Sequence, residues 1–114
     1  MTIQEIIGLV DGKVYCCEES LGNSVEYAFA SDLMSDVLTL EKDKLLLITG
    51  LANLQAIRTS EMSDINCIIF ARDKKIGEEM IELARENRMT LIGSPHSLFH
   101  ISGELYKAGL KSVY

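Results

Sequence analysis

The chain has one proline and three cysteines in 114 residues. A single proline leaves no stiff proline-rich linker, and with no low-complexity stretch and no internal repeat, one domain over residues 1–114 is expected. Three cysteines, two of them adjacent at Cys16 and Cys17, make poor arithmetic for a disulfide framework. On a strand such neighbours project to opposite faces, so a bond between them would be strained. Cys67 lies in Ile65-Asn66-Cys67-Ile68-Ile69-Phe70, which reads as a buried strand. CxxC spacing is missing, so no zinc or iron–sulfur cluster is expected, and the thiols read as reduced, partly serving as small hydrophobes.

Long apolar runs are missing too. The run Leu45 to Ile48 is far short of the roughly 20 residues of a membrane helix, and Met1-Thr2-Ile3-Gln4-Glu5 carries no basic leader segment. Cations are few and scattered: 11 Lys and Arg stand against 17 Asp and Glu, a net charge of −6, and only Lys74 and Lys75 are adjacent. Such a chain repels a phosphate backbone and gains nothing at an anionic bilayer. Neither nucleic acid nor membrane is an expected partner, and a cytoplasmic location is.

What the chain does have is 47% hydrophobic residues, enough for a core without staples. Thr2-Ile3-Gln4-Glu5 is a capping box, followed at helical spacing by Ile6, Ile7 and Val10, with the helix ending between Gly8 and Gly12. Val14 to Cys17 and Val25 to Phe29 read as extended segments around a turn at Leu21 to Ser24. Ser31 should cap a helix with Leu33, Met34, Val37, Leu38 and Leu40 as its apolar positions. Leu45 to Ile48, Ile65 to Phe70 and Met89 to Ile92 run apolar without alternation, the mark of strands covered on both faces of a parallel sheet. Between them lie helices over 53–60 and 76–87, the second stopped by a left-handed Asn87; a last helix opens at Ser94-Pro95, buries Leu98, Ile101, Leu105 and Ala108, and ends at Gly109. This order predicts an α/β domain, three-layered, with a mainly parallel sheet flanked by helices.

Ligands of such sheets collect where strand carboxyl ends feed helix amino ends, here Thr49 to Asn53, Ala71 to Lys75 and Gly93 to Ser97. Thr49-Gly50-Leu51-Ala52-Asn53 offers backbone amides to an anion or carbonyl, with an ordinary turn capped by Asn53 as the plain alternative. Neither GxxxxGK[ST] nor GxGxxG occurs. His96, His100 and Glu104 share an i, i+4, i+8 spacing that could face a divalent cation, but without an HExxH glutamate they read as a solvated face. Ser94 or Ser97 with His96 or His100 makes no convincing nucleophile and base, and GxSxG is absent. Asp32 and Asp36 are paired carboxylates at i, i+4, with Asp32 read as a partner of a helix dipole.

Ala30-Ser31-Asp32-Leu33-Met34-Ser35-Asp36-Val37-Leu38, then Leu45-Leu46-Leu47-Ile48-Thr49-Gly50, and later Leu91-Ile92-Gly93-Ser94-Pro95, resemble in order and spacing the DRTGG domain family, over about residues 24 to 110. That resemblance implies a compact α/β domain similar to the N-terminal domain of HPr kinase/phosphorylase and to domains attached to phosphotransacetylases and CBS-domain proteins. Stand-alone versions accompany iron-only hydrogenase genes. The chain departs from the name-giving residues: Leu51 and Ala52 follow Gly50 in place of Asp-Arg, and Ala71, Arg72 and Asp73 stand in place of Thr-Gly-Gly.

The expected protein is thus a non-catalytic regulatory or ligand-sensing domain without cofactor or metal. It would be a homodimer acting on a partner enzyme such as a hydrogenase component. Its small-molecule ligand would be held by Thr49, Gly50, Asn53, Ser94 and His96. A small phosphate-handling enzyme module and a purely structural adaptor are the alternatives.

Overall fold

Residues 1–114 are described by a computed structural model. Thr2 begins the first helix, α1 (Ile3–Val10), as the capping box requires: the Glu5 amide donates to Thr2 Oγ1 at 3.2 Å and the Thr2 amide to Glu5 Oε1 at 3.2 Å. Asp11, left-handed at φ 52°, ends it. There follow β1 (Lys13–Cys16), a 3₁₀ turn at Glu18–Ser20, β2 (Tyr27–Ala30), a one-turn α2 (Met34–Val37), β3 (Leu45–Thr49) and α3 (Leu54–Met62). The chain continues through β4 (Cys67–Phe70), α4 (Glu78–Glu86), β5 (Thr90–Gly93), α5 (Leu98–Ala108) and β6 (Lys111–Ser112).

The six strands form one sheet in the order β1-β5-β4-β3-β2-β6. Every pairing is parallel except that of β1 with β5. From β2 to β5 each crossover steps the same way, so right-handed connections put α2, α3 and α4 on one face; α5 runs back from β5 to β6 and must cover the other. The cores agree. Leu45, Leu47, Ile68, Phe70 and Leu91 pack with Met34, Val37, Ala56, Ile57, Met80 and Ala84 on the first face. Leu46, Ile48, Cys67, Ile69 and Ile92 pack with Ile3, Ile6, Val10, Ile101 and Leu105 on the second. Successive residues of one strand feed opposite cores, which is why the central strands show no polar alternation.

Four local expectations are corrected. The helix after Ser31 shrinks to one turn. Ser31 Oγ instead accepts from the Leu33 amide at 3.0 Å, and the Asp32 carboxylate is tied to β3, so Leu33 stays extended and is left 58% exposed, with Leu38 at 49%. The left-handed stop after α4 falls at Arg88 (φ 55°), while Asn87, at φ −101°, turns its Nδ2 back to the Leu83 carbonyl. The last helix begins at Leu98 under a Ser97 cap, because Ser94 is engaged elsewhere, and Ala108 is exposed. Finally, Cys17 leaves the strand conformation at φ 65°, so the side chains of Cys16 and Cys17 enter the same core.

Candidate functional site

The carboxyl ends of β3, β4 and β5 lie side by side, and β4 separates the Thr49 turn from the Ser94 turn. In the first, Thr49 is fully buried; its Oγ1 donates to Asp32 Oδ1 at 2.9 Å and accepts from the Leu51 amide at 3.1 Å. The Gly50 amide donates to the same Asp32 oxygen at 2.7 Å. A carboxylate from the chain itself therefore occupies the place where this turn would hold an anion. A Cβ at Gly50 would meet Asp32 Oδ2 at 3.4 Å, so the small residue lets the carboxylate close on the turn. Asp32 is neither half of a helical carboxylate pair nor a dipole partner; it latches β2 to β3.

Three residues on, Asn53 caps α3 by accepting from the Ala56 amide at 3.0 Å. It also lines an open groove of about 700 Å³ between the first turn of α3, Asn53 to Gln55, and that of α4, Gly77 to Met80. Helix α4 begins at Gly77 with no side-chain cap, so the Glu78 and Glu79 amides beside the groove have no side-chain partner, while the Met80 amide donates to the Gly77 carbonyl at 3.1 Å. Two helix amino ends thus border one concave surface, with Glu78 and Glu79 placed favourably for the α4 dipole.

Ser94 and His96 turn the other way. Ser94 Oγ donates to the Val10 carbonyl at 2.7 Å and accepts from the His96 amide at 3.2 Å. His96 Nε2 lies 2.7 Å from Asp11 Oδ2, and its ring stacks on His100 with centroids 4.1 Å apart. His96 precedes α5, so the i, i+4, i+8 face with His100 and Glu104 does not form, and no group of three His, Cys, Asp or Glu side chains is placed to hold a metal ion. The structure therefore brings Thr49, Gly50 and Asn53 together but assigns the side chains of Ser94 and His96 to the end of α1.

The backbones of those two residues do reach back. The carbonyls of Ser94 and His96 accept from the amides of Asp73 at 2.9 Å and Arg72 at 2.8 Å. These bonds bridge the crevice between β4 and β5, the point where successive helices pass to opposite faces. Arg72 and Asp73 both hold left-handed backbones, φ 64° and 53°. Glycine is the residue that takes such φ without a Cβ penalty, and by the resemblance to the DRTGG pattern these are the positions where it is expected. Arg72 and Asp73 fall in the strand-end segment Ala71 to Lys75 that the sequence singles out, though not among the five expected ligand-binding residues, whereas Asp32 carried no such signal.

This is an α/β domain with its polar turns and the amino ends of α3 and α4 gathered at the carboxyl end of its parallel strands. A family model described as HPr Serine kinase N terminus matches residues 48–108, which is 61 of the 114 residues, and the chain belongs to that family. Among solved structures, it is similar to the crystal structure of the CBS and DRTGG domains of the regulatory region of Clostridium perfringens pyrophosphatase, complexed with the activator diadenosine tetraphosphate. The TM-score is 0.73 at 17% identity, covering 96% of this chain and 47% of that one. This chain thus spans about half the length of that structure. No curated protein matches it. No helix is long and apolar enough to cross a membrane.

Proposed function

We propose that residues 1–114 form one DRTGG-like domain that senses a small molecule and regulates a partner enzyme, without chemistry of its own. By the family resemblance, a hydrogenase system is the first partner to test. The observation that carries the reading is the groove between Asn53 and the uncapped first turn of α4, where amides can meet an anionic or carbonyl-bearing ligand at strand carboxyl ends. Thr49 and Gly50 do not line the groove; through the Asp32 latch they fix the turn that leads to Asn53. Ser94 and His96 act at one remove, as positioning residues whose carbonyls hold the loop that leads to α4. The similar pyrophosphatase region was solved with diadenosine tetraphosphate, which makes that compound a natural probe.

Thermal melts of the full chain with diadenosine tetraphosphate, adenine nucleotides, acyl phosphates and S-adenosylmethionine test this reading. A ligand at about a hundred times its Kd adds roughly 2.7 kcal/mol, which a melt resolves. Asn53→Leu and Gly50→Val should each abolish the shift, the second by driving a branched side chain into Asp32. A shift that both variants keep places the ligand elsewhere, and no shift with any of the compounds favours an adaptor.

A further inference from the structure

Strand β1 ends in a pair of thiols that the strand-end groove does not use. Alternation along a strand would send Cys16 and Cys17 to opposite faces. The left-handed backbone of Cys17, φ 65° and ψ 50°, rotates its side chain back beside its neighbour instead. The two Sγ atoms lie 3.0 Å apart in the core beneath α4, with Cys16 2% and Cys17 6% exposed. A disulfide bond is about 2.05 Å long, so roughly one ångström of further approach separates this pair from a bond. A left-handed conformation is unfavourable for any residue with a Cβ, and such residues gather at functional positions. Its carbonyl accepts from the Ser20 amide of the following 3₁₀ turn at 3.0 Å, but its side chain makes no bond to that turn and lies against Cys16 instead. Cys67 lies in the other core, across the sheet.

We propose that Cys16 and Cys17 are a redox modification site, a vicinal dithiol that a low-molecular-weight disulfide converts to the Cys16–Cys17 disulfide. One cysteine, as thiolate, attacks a sulfur of the small disulfide, forming a mixed disulfide and expelling one small thiolate. The second cysteine, as thiolate, attacks the protein sulfur of that mixed disulfide and expels the other. Each expelled thiolate takes up one of the two protons the cysteines released, so two electrons and two protons pass to the oxidant and two small thiols leave. Burial, with the Cys16 thiol adding to it, pushes the Cys17 thiol up to about 12, which keeps that thiol protonated while β1 is closed. Exchange therefore proceeds when β1 opens away from α4, and as an edge strand it is hydrogen-bonded to β5 alone among the strands.

The test treats the folded chain with oxidised glutathione, quenches in acid, alkylates under denaturing conditions and reads intact and fragment masses. The expected product has lost two hydrogens and carries one alkyl group, at Cys67. Cys67→Ser should oxidise in the same way and carry none. Cys17→Gly keeps a residue suited to the left-handed backbone; it should fold by circular dichroism and should not form an internal bond, as should Cys16→Ser. Three alkylated cysteines in the treated wild type, a persistent glutathione adduct, or a folded Cys67→Ser that fails to oxidise would each overturn the assignment.

Discussion

Glu5 shows how much one side chain contributes at a helix start. The Thr2 amide, and then the Thr2 hydroxyl, hold its carboxylate below the ordinary glutamate pKa of 4.5. A lowered folded-state pKa means stability that is present above the unfolded value and lost as pH falls through the folded one. Glu5→Gln can keep the capping geometry but cannot titrate, so the stability difference between wild type and variant should shrink as pH falls through and below about 4.5. Urea melts at a series of pH values read this directly, and a difference that stays constant across that window would show that the carboxylate is not held. Arg72 and Asp73 are the opposite case, residues in conformations that suit glycine. The left-handed region costs an L-residue roughly 1–2 kcal/mol, and the greater unfolded-state freedom of glycine offsets part of that gain. Arg72→Gly and Asp73→Gly should therefore each raise stability by about 0.5–1 kcal/mol in denaturant melts, and a loss in both would mean that the side chains themselves hold the loop.

The elements divide by how local their causes are. Strands β3, β4 and β5 could be read from their apolar runs, because both faces are buried and each residue meets one core or the other. Helix α1 was legible from four adjacent residues, and the caps Asn53 and Gly109 from one each. What escaped depends on partners far along the chain. Asp32 binds a hydroxyl 17 residues away and shortens α2; Ser94 binds a carbonyl 84 residues away and delays α5. Hydrophobic period carries no trace of such pairs. The candidate site divided for the same reason: Thr49, Gly50 and Asn53 belong to one local turn, whereas joining Ser94 and His96 to them assumed a crevice that the Arg72 and Asp73 amides bridge. The antiparallel edge strand β1 was visible as an extended segment, but its direction is set by a pairing that no local signal records.

At the scale of the whole molecule, the surface bears on association. Met34 is withdrawn into the core and offers nothing to a partner. Phe99, Tyr106 and Tyr114 remain 88%, 72% and 86% exposed, and Phe99 and Tyr106 lie seven residues apart on one side of α5. Aromatic anchors of this kind favour a two-fold pair, which we expect in sedimentation at tens of micromolar. Phe99→Ser with Tyr106→Ser should give the monomer, and a wild type that sediments only as monomer would count against the pair. The route of the backbone has a separate consequence. Met1 exchanges hydrogen bonds with Val25, and the Lys111 amide donates to the Glu26 carbonyl, so the first residues and the last strand both run alongside the start of β2. A short peptide should therefore join residue 114 to residue 1, with the chain reopened in the exposed loop at 41–43, and the resulting circular permutant should keep its far-ultraviolet spectrum and cooperative melt.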